Sequence, residues 1–387
     1  MAGSSVFKDD IAGRPVLGSA VPDPGDVYAW DTQHDFWRPR ASVGLSILDY
    51  GAVGDGATDS GAAINSALAA AATYGVRKVF APAGTYILEV PLVPQSDTWL
   101  CGAGWHSTIF KIKGGNTNIN AIDTTANIYR ARLSDFQLDC NKANNNANGM
   151  GIKGWYDHSQ FEWIWIKNCE REAIYLCPGD GYADTGYPAD NAFNTRVENI
   201  EIEDSNIGLR FTSKATDFWW GPRINIGADT TDLYVTSWGS PALFRDCWFN
   251  GNPVNNIHLP AAGANVTFDG CVIENSQEHN ILITEPDYLT ADHEASISIV
   301  GGYIKNGNSD AGAFDAVHLE GDATGPWAMV FVNISGVTFM NDVNTPRYGV
   351  YLSHVKKATI NGNVMDVFGT DYFFVTGSLS SDIVIQG

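Results

Sequence analysis

The feature that most constrains this chain is an internal repeat. Short stretches of the form x-apolar-x-apolar recur at Ile174/Leu176, Leu209/Phe211, Leu233/Val235, Ile257/Leu259, Ile281/Ile283, Val317/Leu319, Val350/Leu352 and Phe373/Val375. Such alternation marks strands with one buried face. The steps from Leu209 to Leu233 to Ile257 to Ile281 are 24 residues each, and the other steps run from 23 to 36. A second series passes through Leu138, Ile166, Ile202, Ile226, Phe249, Ile273, Ile304, Phe339 and Met365. Two series that advance together are what a solenoid produces when each coil contributes several strands and insertions interrupt a constant cross-section. At an inter-strand distance of ~4.8 Å, about ten coils would make a shaft roughly 50 Å long. The fold expected is therefore all-β, a right-handed parallel β-helix. A β-sandwich or jelly roll, the alternative, needs no fixed advance.

Asn168, Asp204, Asn275, Asn306 and Asn341 stand two residues past the anchors of the second series. A coil must turn there, and a short amide or carboxylate side chain can bond its own backbone, so these read as turn residues. Cys247 and Cys271 precede Phe249 and Ile273 by two and should stack inside adjacent coils. All six cysteines sit in apolar strand patterns without metal-ligand spacing, which reads as free buried thiols.

Charge narrows the partners. Forty-four acidic against 23 basic residues give a formal charge of −21, a field that repels nucleic-acid phosphates and anionic membranes. It also disfavours a polyanionic glycan unless a cation or a local basic patch offsets it; a neutral or zwitterionic glycan fits better. Neither a basic n-region with an apolar h-region in the first 35 residues nor an apolar run of membrane-spanning length is present, so no signal peptide and no membrane insertion are expected.

Ahead of the coils, residues 45–59 read Leu-Ser-Ile-Leu-Asp-Tyr-Gly-Ala-Val-Gly-Asp-Gly-Ala-Thr-Asp, with a helical pattern from Ser60 to about Thr73, then Pro82-Ala83-Gly84-Thr85-Tyr86 and Leu100-Cys101-Gly102-Ala103-Gly104. A small helix here would cap the open end of the solenoid. The runs D-Y-G-A-x-G-D-G-x-T-D, P-A-G-T-Y and L-x-G-x-G resemble the start of the pectate-lyase-like β-helix superfamily. That resemblance implies the fold; it leaves the chemistry open, since lyases, hydrolases, epimerases and phage spikes share the scaffold.

Residues 24–40, which include Gly25-Asp26-Val27 and Trp30-Asp31, are similar to a G-D-V-x-x-W-D-x-x-x-x-x-W-x-P unit of phage tail fibres, with Trp30 and Trp37 anchoring a small hairpin-like module. The expected organisation is residues 1–44 as a leader that attaches to other phage tail or baseplate proteins, and residues 45–387 as the β-helix. Resembling spikes are homotrimers, which implies the same here, although no separate trimerisation domain follows the strand at Ile383–Ile385. The resemblances, with no export signal, imply a phage tailspike or tail fibre in the virion that binds and depolymerises host surface polysaccharide. A non-catalytic adhesin of the same shape, or a secreted bacterial lyase or epimerase, are the alternatives; the short Asp, His and Glu motif of alginate epimerases is not found intact.

Between the anchors of the first series stand Lys153, Tyr175, Arg210, Tyr234, His258, Leu282, His318, Tyr351 and Phe374, expected to point outward. This stripe is read either as a glycan groove or as a subunit-packing face. Insertions at 177–195, 214–223, 285–295, 308–314 and 321–328 flank it, and loops on a rigid scaffold carry function. Trp219, Trp220 and Trp238 are candidates for stacking on sugar rings, with Arg210, Tyr234, His258 and His318 as further substrate contacts. Glycoside hydrolysis needs two carboxyl groups about 5 to 10 Å apart; Glu285 and Asp287, Glu320 and Asp322 on the next coil, and Asp217 are the candidates. A lyase would instead use a base beside a cation that neutralises a uronate, from Arg210, His258 and His318. No Ser-His-Asp signature, phosphate-cradling loop or clustered metal ligands are read, and no cofactor is expected.

Overall fold

The structure is a computed structural model that describes residues 27–31, 36–40, 44–75, 77–115, 119–145, 149–176, 192–212, 215–216, 218–236, 238–251, 253–259, 263–284, 295–306, 314–321, 329–341, 346–366, 371–376 and 382–386. The chain winds into a parallel β-helix of three faces, called A, B and C in coil order. Each face is a ladder of parallel strands whose inner residues stack coil on coil.

On face C the inner register runs Ile122, Ile152, Ile174, Leu209, Leu233, Ile257, Ile281, Val317, Val350, Phe373. On face B it runs Tyr86, Phe110, Leu138, Ile166, Ile202, Ile226, Phe249, Ile273, Ile304, Phe339, Met365. Both series read from the sequence are thus rungs of one core. Face A supplies a third row that the sequence reading did not separate: Leu45, Val79, Leu100, Leu133, Phe161, Val197, Trp220, Phe244, Phe268, Ile299, Ile334, Ile360, Ile385. Most of these side chains are wholly buried, and each contributes on the order of 1.5–3 kcal/mol by leaving water.

Single residues in the left-handed region make the corners. Asn168 (φ 56°), Asp204 (φ 50°) and Asn275 (φ 65°) turn the chain from face B to face C, a conformation that short polar side chains tolerate best. Asn306 and Asn341, read as members of the same turn row, are instead paired strand residues, because ladder pairing continues past the anchor in those two coils. Five cysteines are described and all are buried and free; Cys177 lies outside the described residues. Cys140 and Cys169 sit in adjacent coils with their sulfurs 3.2 Å apart, and burial pushes the Cys247 thiol well up, with Cys271 beside it.

The N-terminal cap forms as expected. Helix α1 (Gly61–Tyr74) buries Ile64, Ala67, Leu68 and Ala71 against the first coil, the i, i+3, i+4, i+7 stripe of a helix with one apolar face. Asp55 accepts from the backbone of Ala57 and Thr58 at 2.8 Å, and Asp59 accepts from Gly61 and Glu89, tying the helix start to the next coil. The glycine of L-x-G-x-G has a steric reason: a Cβ on Gly102 would sit 2.2 Å from the Asp135 carbonyl oxygen. Separately, Val27–Asp31 and Phe36–Arg40 pair antiparallel with Trp30 opposite Trp37, the hairpin read from the leader.

Candidate active site

Face C presents its outer row as expected. Lys153, Tyr175, Arg210, Tyr234, His258, Leu282, His318, Tyr351 and Phe374 are direct register neighbours on successive coils. Alternation on the pleat sends their inner neighbours into the core and leaves these facing out.

The upper part of the stripe is built around Arg210. Its guanidinium lies over Tyr175 (4.8 Å) and Tyr234 (5.4 Å), and Nη1 donates to Oε1 of the buried Glu172 at 2.9 Å. Tyr234 meets His258 edge-on at 5.3 Å, and burial lowers the His258 pKa.

The lower part, four coils or ~19 Å along, is a hydrogen-bonded cluster. Asp315, whose side chain has no exposed surface, takes Arg347 Nε on Oδ1 (2.9 Å) and Nη2 on Oδ2 (2.7 Å). His318 Nδ1 lies 2.7 Å from the same Oδ2. Burial alone would raise the Asp315 carboxyl, but the hydrogen bonds from His318 and Arg347 outweigh it and hold the carboxyl below its usual range. An ionised Asp315 can only accept, so His318 donates from Nδ1 and presents Nε2 on the far side of its ring. That nitrogen is 3.6 Å from Glu320 Oε2. Behind the dyad, the Asp315 backbone N–H donates to His279 Nδ1 at 3.1 Å; burial, with His318 nearby, lowers the His279 pKa to about 4, so its ring is neutral.

Aromatic rings continue the row past the dyad. Tyr351 stacks on His318 (4.4 Å, 8° between planes), and Phe374 stacks on Tyr351 (5.3 Å) and on Tyr348 (4.8 Å). The result is a polar, hydrogen-bonded cluster at the edge of an aromatic floor. Sugar rings can stack on such a floor while hydroxyls reach the polar groups. The cations along the stripe are matched by acids: Lys153 with Asp123, Arg210 with Glu172, Arg347 with Asp315.

His279, Asp315 and His318 each offer a ligand atom within 4.8 Å of the others. The sequence reading had found no clustered metal ligands because these residues are 36 and 3 positions apart and meet only by coil stacking. Both Asp315 oxygens are already engaged by Arg347, so a cation here would meet a guanidinium, and the residues fit a proton-transferring dyad better than a metal centre.

Of the predicted site residues, Arg210, Tyr234, His258 and His318 share the outer row, and Glu320 joins them beside His318. Trp220 does not: its ring is 1% exposed and stacks between Phe211 (5.8 Å) and Phe244 (5.7 Å) in the core. The reason is register, since Trp220 continues the inner row from Val197 to Phe244. The same register shows that 214–223 is not simply an insertion, because Phe218–Trp220 is a strand of face A. In face A the backbone of Trp219 pairs with Arg196 and Leu243, and that of Trp238 with Gly263. Asp217, Glu285, Asp287 and Asp322 lie outside the described residues. Glu172, His279, Asp315 and Arg347 were missed; Glu172, His279 and Asp315 each stand two positions before an inner anchor of face C, a row that aligning the anchors would have exposed.

Three parallel ladders wound around one core, with an aromatic floor along one outer sheet, define the class: a pectate-lyase-like solenoid. A model of the family described as "Rhamnogalacturonase A/epimerase, pectate lyase-like" matches residues 44–281, and the chain belongs to that family. It is 34% identical over 125 residues to mannuronan C5-epimerase AlgE3 of Azotobacter vinelandii, covering 29% of this chain and 7% of that protein. It is likewise 34% identical over 116 residues to the pre-neck appendage protein of Bacillus phage phi29, covering 29% of this chain and 12% of that protein. The chain therefore matches only a small share of either relative's length. The structure of the A-module of mannuronan C-5 epimerase AlgE6 from A. vinelandii superimposes with a TM-score of 0.54 at 17% identity, covering 88% of this chain and 99% of that one; it shares the fold.

Proposed function

We propose that this chain is the polysaccharide-processing shaft of a bacteriophage appendage, with the glycan laid along face C and the reacting bond held at His318 and Glu320. The observation that carries the reading is the Asp315–His318–Glu320 line set beside the Tyr351–Phe374 floor. Asp315 fixes the ring, His318 Nε2 handles the proton, and Glu320, the one predicted catalytic carboxylate among the described residues, lies 3.6 Å from it. For hydrolysis, one carboxyl donates a proton to the leaving glycosidic oxygen while a second activates water or attacks the sugar. Glu320 takes one of these roles, and Asp217, Glu285, Asp287 and Asp322 are the candidates for its partner. The matched cations of the groove and the overall charge of −21 favour a neutral or zwitterionic host-surface glycan.

The phage context rests on the phi29 pre-neck appendage relative and on the leader hairpin. In this reading residues 1–44 dock on other tail proteins, the shaft assembles as a homotrimer, and the protein resides in the virion. A second reading, elimination on a uronate with His318 as base, is favoured by the tie of Nδ1 to Asp315, which orients Nε2 outward.

The test is to incubate the chain with capsular and cell-wall polysaccharides of candidate hosts and to measure new reducing ends and 4,5-unsaturated products. Reducing ends without unsaturation, lost roughly 100-fold or more in Glu320→Gln and His318→Asn, support hydrolysis. Unsaturated products move the assignment to elimination. Tight binding with neither product leaves an adhesin and removes the catalytic reading.

A further inference from the structure

The corner between faces A and B repeats one backbone conformation in coil after coil. Left-handed residues stand there at Asp135, Asn199, Arg223 and Asp246, and then at glycines from Gly270 onward. In one coil the position is aromatic: Trp163 adopts φ 54° and leaves its ring 41% exposed. A bulky side chain is unfavourable in this region, and strain retained there points to a use for the residue that occupies it.

The surroundings of that ring supply a second, independent observation. Trp105 meets Trp163 edge-on at 5.7 Å, and His106 meets Trp165 at 5.1 Å. Lys167 lies 4.2 Å over Trp165, whose indole N–H has no acceptor. Along the outer row of face B the register passes from Trp165 through Glu201 and Asn225 to Trp248, three coils or ~14 Å away. Trp248 is 44% exposed, and its Nε1 donates to Glu274 at 2.7 Å, which fixes the ring.

We propose that the outer side of face B, from Trp163 to Trp248, is a second glycan-binding surface that holds a short uncharged stretch of polysaccharide without reacting with it. Oriented indoles at either end accept the apolar faces of sugar rings, and the carboxylates and amide between them accept and donate to hydroxyls. Glu201, Glu203 and Glu274 line the strip, so a uronate would meet like charge. Burial, reinforced by Glu203, raises the Glu201 pKa. Packing against a second copy is the poorer fit, because polar residues interrupt the exposed apolar rings and no continuous hydrophobic centre forms. This site stands on different residues from those of face C and does not depend on the reading given to them.

The experiment is affinity electrophoresis of the full chain through gels cast with dextran, galactomannan or soluble β-1,3-glucan, with alginate as the polyuronate control, alongside light scattering. Trp163→Asn places in the corner the residue type that the next coil already carries, so it keeps the fold; Trp248→Ala removes a half-exposed ring together with its bond to Glu274. The expected result is retardation by at least one neutral polymer, weaker by about tenfold or more in the Trp163→Asn/Trp248→Ala variant. Migration unaffected by every neutral polymer, retardation by alginate alone, or equal retardation of the double variant overturns the proposal. So does an oligomer of the wild-type chain that the double variant reduces to monomer, which would make the strip a subunit interface.

Discussion

Replacing Arg347 with Met removes the cation that holds Asp315 ionised while keeping most of the aliphatic stem. In the wild-type chain that carboxylate has no exposed surface and accepts two charge-assisted bonds from Arg347, at 2.9 and 2.7 Å. Deleting one partner of a buried pair costs ~3–5 kcal/mol. The lower end, about 3 kcal/mol, is expected here because Arg347 is itself 36% exposed and water can take part of its place. The penalty must depend on pH, and its sign follows from the depressed Asp315 pKa. Stability from that group is present above the unfolded carboxylate value of ~3.9 and is lost as pH falls through the lower folded value. The gap between wild type and Arg347→Met is therefore widest near neutral pH and closes in acid, where the uncompensated carboxylate takes up a proton. Guanidinium chloride unfolding at a series of pH values measures it. The double variant Asp315→Asn/Arg347→Met, which buries no charge, should recover most of the loss. A gap that does not change with pH, or a double variant no better than Arg347→Met, would refute the claim that the ion pair rather than packing supports this corner of the site.

Trp220→Ala should cost ~3–5 kcal/mol in chemical unfolding, as expected for a core ring removed without collapse; a variant of wild-type stability would show that the ring is not packed between Phe211 and Phe244. Gly102→Ala should destabilise by about 1–3 kcal/mol or more, because its Cβ would press on the Asp135 carbonyl; an unchanged melting temperature would exclude that close approach. Burial raises the Asp232 pKa well above its ordinary value, so its stabilising contribution is full below the unfolded value of ~3.9 and is lost as pH rises toward the folded one. Asp232→Asn should therefore gain on wild type as pH rises from 4 to 7, although its amide nitrogen cannot accept the bond that Asn256 Nδ2 donates to Asp232 Oδ2 at 2.8 Å in the wild-type chain; a variant that loses ground over that interval would contradict the assignment.

The solenoid was legible in the sequence because its signal is local and repeated. Apolar alternation, a constant advance and polar corner residues recur in many coils, so insertions blur single spacings without hiding the series. The outer stripe of face C followed at once, since strand alternation assigns every second residue outward. Trp220 was misplaced because a pair of adjacent tryptophans carries no mark of which one faces inward; only its register with Val197 and Phe244 decides. The dyad was beyond the sequence for a related reason. His279, Asp315 and Arg347 are separated by 36 and 32 positions, with insertions of unequal length between them, and coil stacking alone brings His279 and Arg347 within hydrogen-bonding distance of Asp315. Periodicity in the chain thus determined the coil and the direction of its side chains. The placement of charge against charge along the shaft belongs to the tertiary structure, because stacking joins residues by rung and not by distance along the chain.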